Sequence, residues 1–249
     1  MRPSVPVLAL IGAAALAVPA ALQAAPEPQA PDLDVLIAID TTGSMTPSIE
    51  QAKRDARQVV ADTQSALPGA RFAVAQFRDA GDRPAYELVQ PMTGDADQVS
   101  AAMQGLYADG GGDTPEAYAT VFRRAAAGDG IGWRPGARRL LVVIGDAEPH
   151  GAGSAGLAGC ADTSRDPLGV PVKDALAELK AAQVSVAMIL QASSASTTLE
   201  CYRSIANAAY GQGSARASGG GDGPGTTTGG GAEGAPDATR GGAGGAAPA

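Results

Sequence analysis

The chain has 249 residues and a net charge of −8, from 18 basic and 26 acidic side chains. It shows no basic cluster, which argues against a nucleic-acid partner, because phosphate binding depends on a Lys/Arg footprint. The adjacent pairs Arg123-Arg124 and Arg138-Arg139 read instead as a helix end and the start of a strand.

The first stretch, "MRPSVPVLALIGAAALAVPAALQAAPEP", has one early positive charge, an apolar run and a small-residue exit at Leu22-Gln23-Ala24. That pattern predicts a cleaved signal peptide over 1–24 and a short linker over 25–31. No later segment is apolar and long enough to cross a bilayer. The expected product has no membrane span after cleavage and is secreted or periplasmic. From Gly211 to Ala249 there is no Leu, Ile, Val, Met or aromatic residue, and 15 of these 39 residues are glycine. Such composition predicts a disordered tail. Residues 32–210 remain, enough for one domain with a full core.

Within that span, apolar runs alternate with amphipathic stretches. "LDVLIAI" (33–39) reads as a buried strand, and 48–67 places Ile49, Ala52, Ala56, Val59 and Val60 on one helical face. "RFAVAQF" (71–77) alternates as a strand does, and "AYELVQ" (85–90) is its candidate hairpin partner. Helices are expected over 95–106 and 115–127, with Pro115 as the first helical residue. "RRLLVVIG" (138–145) is the most strand-like run. A helix over 171–183, a strand over 184–190 and a closing helix over 197–210 complete the order. Strands separated by helices need crossovers, so the expected fold is α/β. It is a doubly wound, mostly parallel sheet with one antiparallel edge strand and helices on both faces.

Ligands of such folds sit at the carboxyl ends of the strands. Asp40 follows the first strand at once, and Asp146 follows "LLVVIG" with the same immediacy. Two like charges on one edge ask for a counter-ion. Thr42 and Ser44 stand at every second position after Asp40, in a turn whose oxygens can converge. Carboxylates and hydroxyls, with no histidine or thiolate expected nearby, suit a hard cation, Mg²⁺ in the first place, with Mn²⁺ or Ca²⁺ as alternatives. Thr41 is expected to point away, and Thr46 before Pro47 reads as a cap.

Asp40-x-Thr42-x-Ser44 resembles the D-x-S/T-x-S signature of von Willebrand factor A and integrin I domains. "GGGDTPE" (110–116) resembles their second loop, and "LLVVIGDAEPH" their fourth strand and its aspartate. The resemblance covers most of residues 32–210. It implies a metal-ion-dependent adhesion site in which Asp40, Thr42 and Ser44 form the first metal loop and Asp146 contributes from the fourth strand. Some relatives use a threonine in the second loop, which is Thr114 here; others use the glutamate, which is Glu116. Thr114 also suits an N-cap ahead of Pro115. The glutamate loop of those relatives also implies a second, adjacent cation site, whose full set is not visible here; Asp113 could serve it, but reads first as a solvated turn residue. The function implied is capture of a protein ligand presenting Asp or Glu, without enzymatic activity. Relatives couple that event to a shift of the last helix, 197–210 here.

Two alternatives stand beside it: a scaffold whose metal only staples loops, and a hydrolase using the metal as Lewis acid. "GAGSAG" (151–156) matches a dinucleotide fingerprint, but no helix opens behind it. His150, the single histidine, reads as a bland surface residue of the loop, though the resemblance places it near the metal edge. Export would place Cys160 and Cys201 in an oxidising compartment, where one disulfide is expected; two buried thiols are the alternative.

Overall fold

Side-chain alternation along β1 (Leu33–Asp40) sends Val35, Ile37 and Ile39 to one face of a sheet and Leu36 and Ala38 to the other, all fully buried. A strand apolar on both faces needs a helical layer on each side. The computed structural model describes residues 32–191, 196–210 and 214–218, and it supplies both layers. On one face α1 (Ile49–Ala66) and α2 (Ala96–Gln104) bring Ala52, Ala56, Val60, Val99 and Met103 onto the first set. On the other, α3 (Tyr118–Ala127), α4 (Val172–Ala181) and α5 (Ser196–Tyr210) cover the second with Phe122, Leu176, Leu179 and Ile205. The leader and linker expected over 1–31 lie outside the described residues.

The remaining strands are β2 (Arg71–Phe77), β3 (Tyr86–Thr93), β4 (Arg138–Gly145), β5 (Val184–Gln191) and β6 (Ser214–Ser218). Their order is β3-β2-β1-β4-β5-β6, parallel throughout except for β3, the antiparallel edge strand beside β2. The expected α/β architecture is therefore present, hairpin included.

Two boundaries differ from expectation. β6 falls inside the segment expected as a tail; its backbone pairs with β5 from Ala187↔Ser214 to Gln191↔Ser218, so the sheet extends past residue 210. Edge pairing needs backbone groups rather than an apolar sequence, which is why "SARAS" carries no strand pattern. The third helix starts at Tyr118, not Pro115. Glu116 is instead extended, its N–H donating to the Glu148 carbonyl (2.9 Å) and its carbonyl accepting from His150 N–H (3.1 Å).

The chain runs outward from β1 through β2 to β3, then returns to place β4 on the other side of β1. The carboxyl ends of β1 and β4 thus flank the reversal of strand order, where an open α/β sheet leaves a crevice. At the opposite edge the buried carboxylate of Asp34 accepts paired bonds from Arg71 (3.1 and 2.9 Å). It also accepts from the backbone N–H (2.6 Å) and Nε (2.8 Å) of Arg134. Burial pushes its pKa upward, but the two guanidinium groups outweigh that and hold it below the ordinary value.

Candidate metal centre

β1 delivers Asp40 fully buried at the sheet edge. Its Oδ1 accepts from the backbone N–H of Thr42 (2.9 Å) and from the Thr42 hydroxyl (2.7 Å). Thr42 Oγ1 lies 3.1 Å from Ser44 Oγ, and that hydroxyl donates to Asp146 Oδ1 at 3.0 Å. The four oxygen-bearing residues singled out in the first and third loops therefore form one connected chain. Thr41 points the other way, donating toward the Phe77 carbonyl and Gln76. Thr46 closes the turn with its hydroxyl on the Gly43 carbonyl (2.7 Å).

Glycine is required at two places here. A Cβ on Gly43 would stand 2.8 Å from the Gly110 carbonyl oxygen, which accepts from Gly43 N–H at 2.9 Å where the first and second loops touch. A Cβ on Gly145 would run into the Tyr118 hydroxyl and lie 3.2 Å from Asp40 Cβ. Tyr118 in turn sits 2.5 Å from the Tyr202 hydroxyl, which donates to the Ala147 carbonyl at 3.0 Å. Two buried tyrosines so floor the site and join it to α5.

The second loop separates its two candidates. Thr114 is exposed, caps no helix and is not drawn into the cluster, whereas Glu116 is 1% exposed. The bridge to Glu148 and His150 turns Glu116 inward beside the third loop. Asp40 Oδ2 and Glu116 Oε2 are both buried without a hydrogen-bond partner. Each such orphan costs about 1–3 kcal/mol, more if charged, unless a bound group satisfies it.

Burial pushes the Asp40 carboxyl up to about 7, against the Thr42 hydrogen bonds and with the charges of Asp146 and Asp79 adding to the rise. Burial likewise carries Glu116 up to about 10, aided by Asp40 and Asp79. Asp146 is raised by burial too, partly offset by Ser44. Like charges crowded together under burial resist ionising together unless a cation joins them. The donor set, carboxylates and hydroxyls, is that of a hard divalent ion.

Sequence reasoning missed Asp79, which is buried and stands two residues past β2 on the same carboxyl edge. The argument that found Asp40 and Asp146 would have found it, had it been applied to the alternating strand. His150, expected at the surface, is 2% exposed. Its Nε2 lies 3.1 Å from Asp79 Oδ1 and 3.4 Å from Asp113 Oδ1. Asp113 is exposed, as expected of a turn residue, but its carboxylate faces the histidine.

Residues 34–127 match the sequence family described as von Willebrand factor A domain. The chain carries a von Willebrand factor A domain. Its fold is similar to that of the SpRpn10 VWA domain (TM-score 0.52, 11% identity, covering 74% of this chain and 86% of that one). It is also similar to the conserved hypothetical protein BatB from Bacteroides thetaiotaomicron (TM-score 0.51, 16% identity, 75% and 90%). No curated protein matches the chain. Cys160 and Cys201 form the expected disulfide, with Cα atoms 4.6 Å apart. It ties the loop after β4 to the first turns of α5. Among the described residues no helix is long and apolar enough to cross a membrane.

Proposed function

We propose that this VWA domain is an exported, non-enzymatic binding module that captures an acidic side chain of a protein partner through a divalent cation, Mg²⁺ in the first instance. Asp40, Thr42, Ser44, Glu116 and Asp146 would hold the ion, with Glu116 taking the second-loop role in place of Thr114. The observation that carries this reading is the pair of buried, unpartnered carboxylate oxygens, Asp40 Oδ2 and Glu116 Oε2. Buried carboxylate oxygens without a protein partner are donors that a cation can satisfy. When bound, the cation supplies a positive, open coordination position suited to an incoming carboxylate. The chain's own residues set the rest: Thr42 orients Asp40, Ser44 orients Asp146, and the Gly43–Gly110 contact holds the first two loops together.

The test is calorimetric titration of Mg²⁺ and Mn²⁺ into the metal-stripped chain, wild type beside Asp40→Ala. One ion per chain at this site, lost in the variant, supports the reading. Binding that survives Asp40→Ala unchanged places the ion elsewhere and sinks it. Immobilised acidic peptides retained with Mg²⁺ but released by EDTA separate capture through the ion from a scaffold whose ion only staples loops.

A further inference from the structure

His150 lies beside the carboxylates already described but belongs to a different set of donors. Ser164 Oγ donates to Asp162 Oδ1 at 2.6 Å, and a serine hydroxyl has one proton to give. The same Oγ stands 2.9 Å from His150 Nδ1 and is left as an acceptor, so Nδ1 carries the ring proton. The Nε2 of a neutral ring then presents a lone pair, and it faces two carboxylate oxygens, Asp79 Oδ1 at 3.1 Å and Asp113 Oδ1 at 3.4 Å. An imidazole nitrogen and two carboxylate oxygens meet in a site where the histidine is 2% exposed and Asp79 is buried.

We infer that Asp79, Asp113 and His150 form a second cation site, selective for a divalent transition metal of the Zn²⁺ class rather than for Mg²⁺. The three donor atoms lie within 4.8 Å of one another. With metal–ligand bonds of about 2.1 Å, neighbouring donors of a tetrahedral ion are about 3.4 Å apart. The two separations measured from Nε2 match that edge. An imidazole nitrogen shifts preference away from Mg²⁺ and Ca²⁺, which favour oxygen alone. The Ser164–Asp162 pair behind Nδ1 is the outer support that metal-binding histidines ordinarily have; it fixes the tautomer and raises the basicity of the ligating nitrogen. Asp113 is 58% exposed on its side chain, so the ion has a route in from solvent. The site shares no ligand with the Asp40 cluster, and the inference stands whether or not that cluster binds Mg²⁺.

The test uses the untagged chain, in which His150 is the single histidine, and Zn²⁺ as the probe. Nitrogen-15 NMR of the imidazole should show the Nδ1–H tautomer without metal and a shifted Nε2 resonance on adding one equivalent of Zn²⁺. Zn²⁺ affinity should fall at least about 100-fold in His150→Gln, about 10–100-fold in Ser164→Ala, and remain in Asp40→Ala. A ring protonated on both nitrogens and unmoved by saturating Zn²⁺ overturns the site and leaves an ion pair with Asp79 and Asp113. Zn²⁺ binding equal in wild type and His150→Gln overturns it as well. The wild-type spectrum decides the matter even where a variant folds poorly.

Discussion

Glu116→Gln should stabilise the metal-free domain and weaken the metal-loaded one. Glu116 is buried, its Oε2 is unpartnered, and its pKa is carried from an ordinary 4.5 to about 10. The sign follows from that direction. The folded state holds the proton between those two values while the unfolded state releases it, so stability falls as pH rises above about 4.5. At 1.36 kcal/mol per pH unit, the loss accumulated by pH 7 is at most about 3 kcal/mol. Glu116 shares its pocket with Asp40, so part of that loss belongs to the pair and about 1–3 kcal/mol is expected for Glu116 itself. Glutamine has nearly the same shape, does not titrate, and can offer its amide to a neighbouring carboxylate oxygen. In EDTA at pH 7 the variant should therefore melt higher by about 2–12 °C, at roughly 2–4 °C per kcal/mol for a domain of this size. At pH 4.5 the two proteins should converge. Saturating Mg²⁺ should reverse the order, because a bound ligand stabilises in proportion to its affinity and the variant binds more weakly. Thermal melts followed by circular dichroism at both pH values, with EDTA and with Mg²⁺, read all of this. A variant no more stable than wild type in EDTA at pH 7 would refute the account of Glu116 as a carboxylate kept for a cation.

Asp34→Asn leaves two buried-edge guanidinium contacts without their charge and should cost about 3–5 kcal/mol in denaturant unfolding. It should leave cation affinity nearly unchanged, because six strand residues, about 20 Å, separate position 34 from Asp40. The lowered pKa of Asp34 also means that its stabilisation is present above the ordinary value of 3.8 and is lost as pH falls below it, a slope the asparagine variant should lack. Gly145→Ala drives a methyl into Tyr118 and Asp40, so a loss of about 1–3 kcal/mol in stability and a weaker Mg²⁺ isotherm are expected together. Replacing both Cys160 and Cys201 by serine opens a loop of 41 residues and should lower unfolding free energy by about 4 kcal/mol. Should the bridge restrain α5, acidic-peptide affinity will change with it; unchanged affinity assigns the bridge to stability alone.

How much of this was legible beforehand depended on whether the deciding contact was local. β1, β4 and β5 announce themselves by continuous apolar runs, and α1 by its period, because burial on a face is a local pattern. Asp40 and Asp146 were legible as the residues that follow such runs. The choice between Thr114 and Glu116 was not. The burial of Glu116, on which the proposal for the second loop rests, comes from backbone bonds to Glu148 and His150, more than thirty residues along the chain, and no pattern around "GGGDTPE" encodes them. The same bonds delay α3 to Tyr118, so the helix-start chemistry of Thr114-Pro115 is overridden by tertiary pairing.

His150 shows the limit most sharply. A histidine in a polar loop reads as exposed, and its burial comes from elements distant in sequence: Asp79 after β2, the second loop at Asp113, and Ser164 from the connection to α4. What topology does supply is the meeting place. Because β2, β1 and β4 run parallel side by side, the loops leaving their carboxyl ends emerge on one edge and bring Asp79, Asp40 and Asp146 there together. Converged carboxylates oppose folding of the bare domain, as the raised values of Asp40 and Glu116 imply. The large two-faced core beneath them offsets that opposition without help from the edge. The edge is thereby left free to be electrostatically unsatisfied, the condition under which added positive charge binds with the greatest gain.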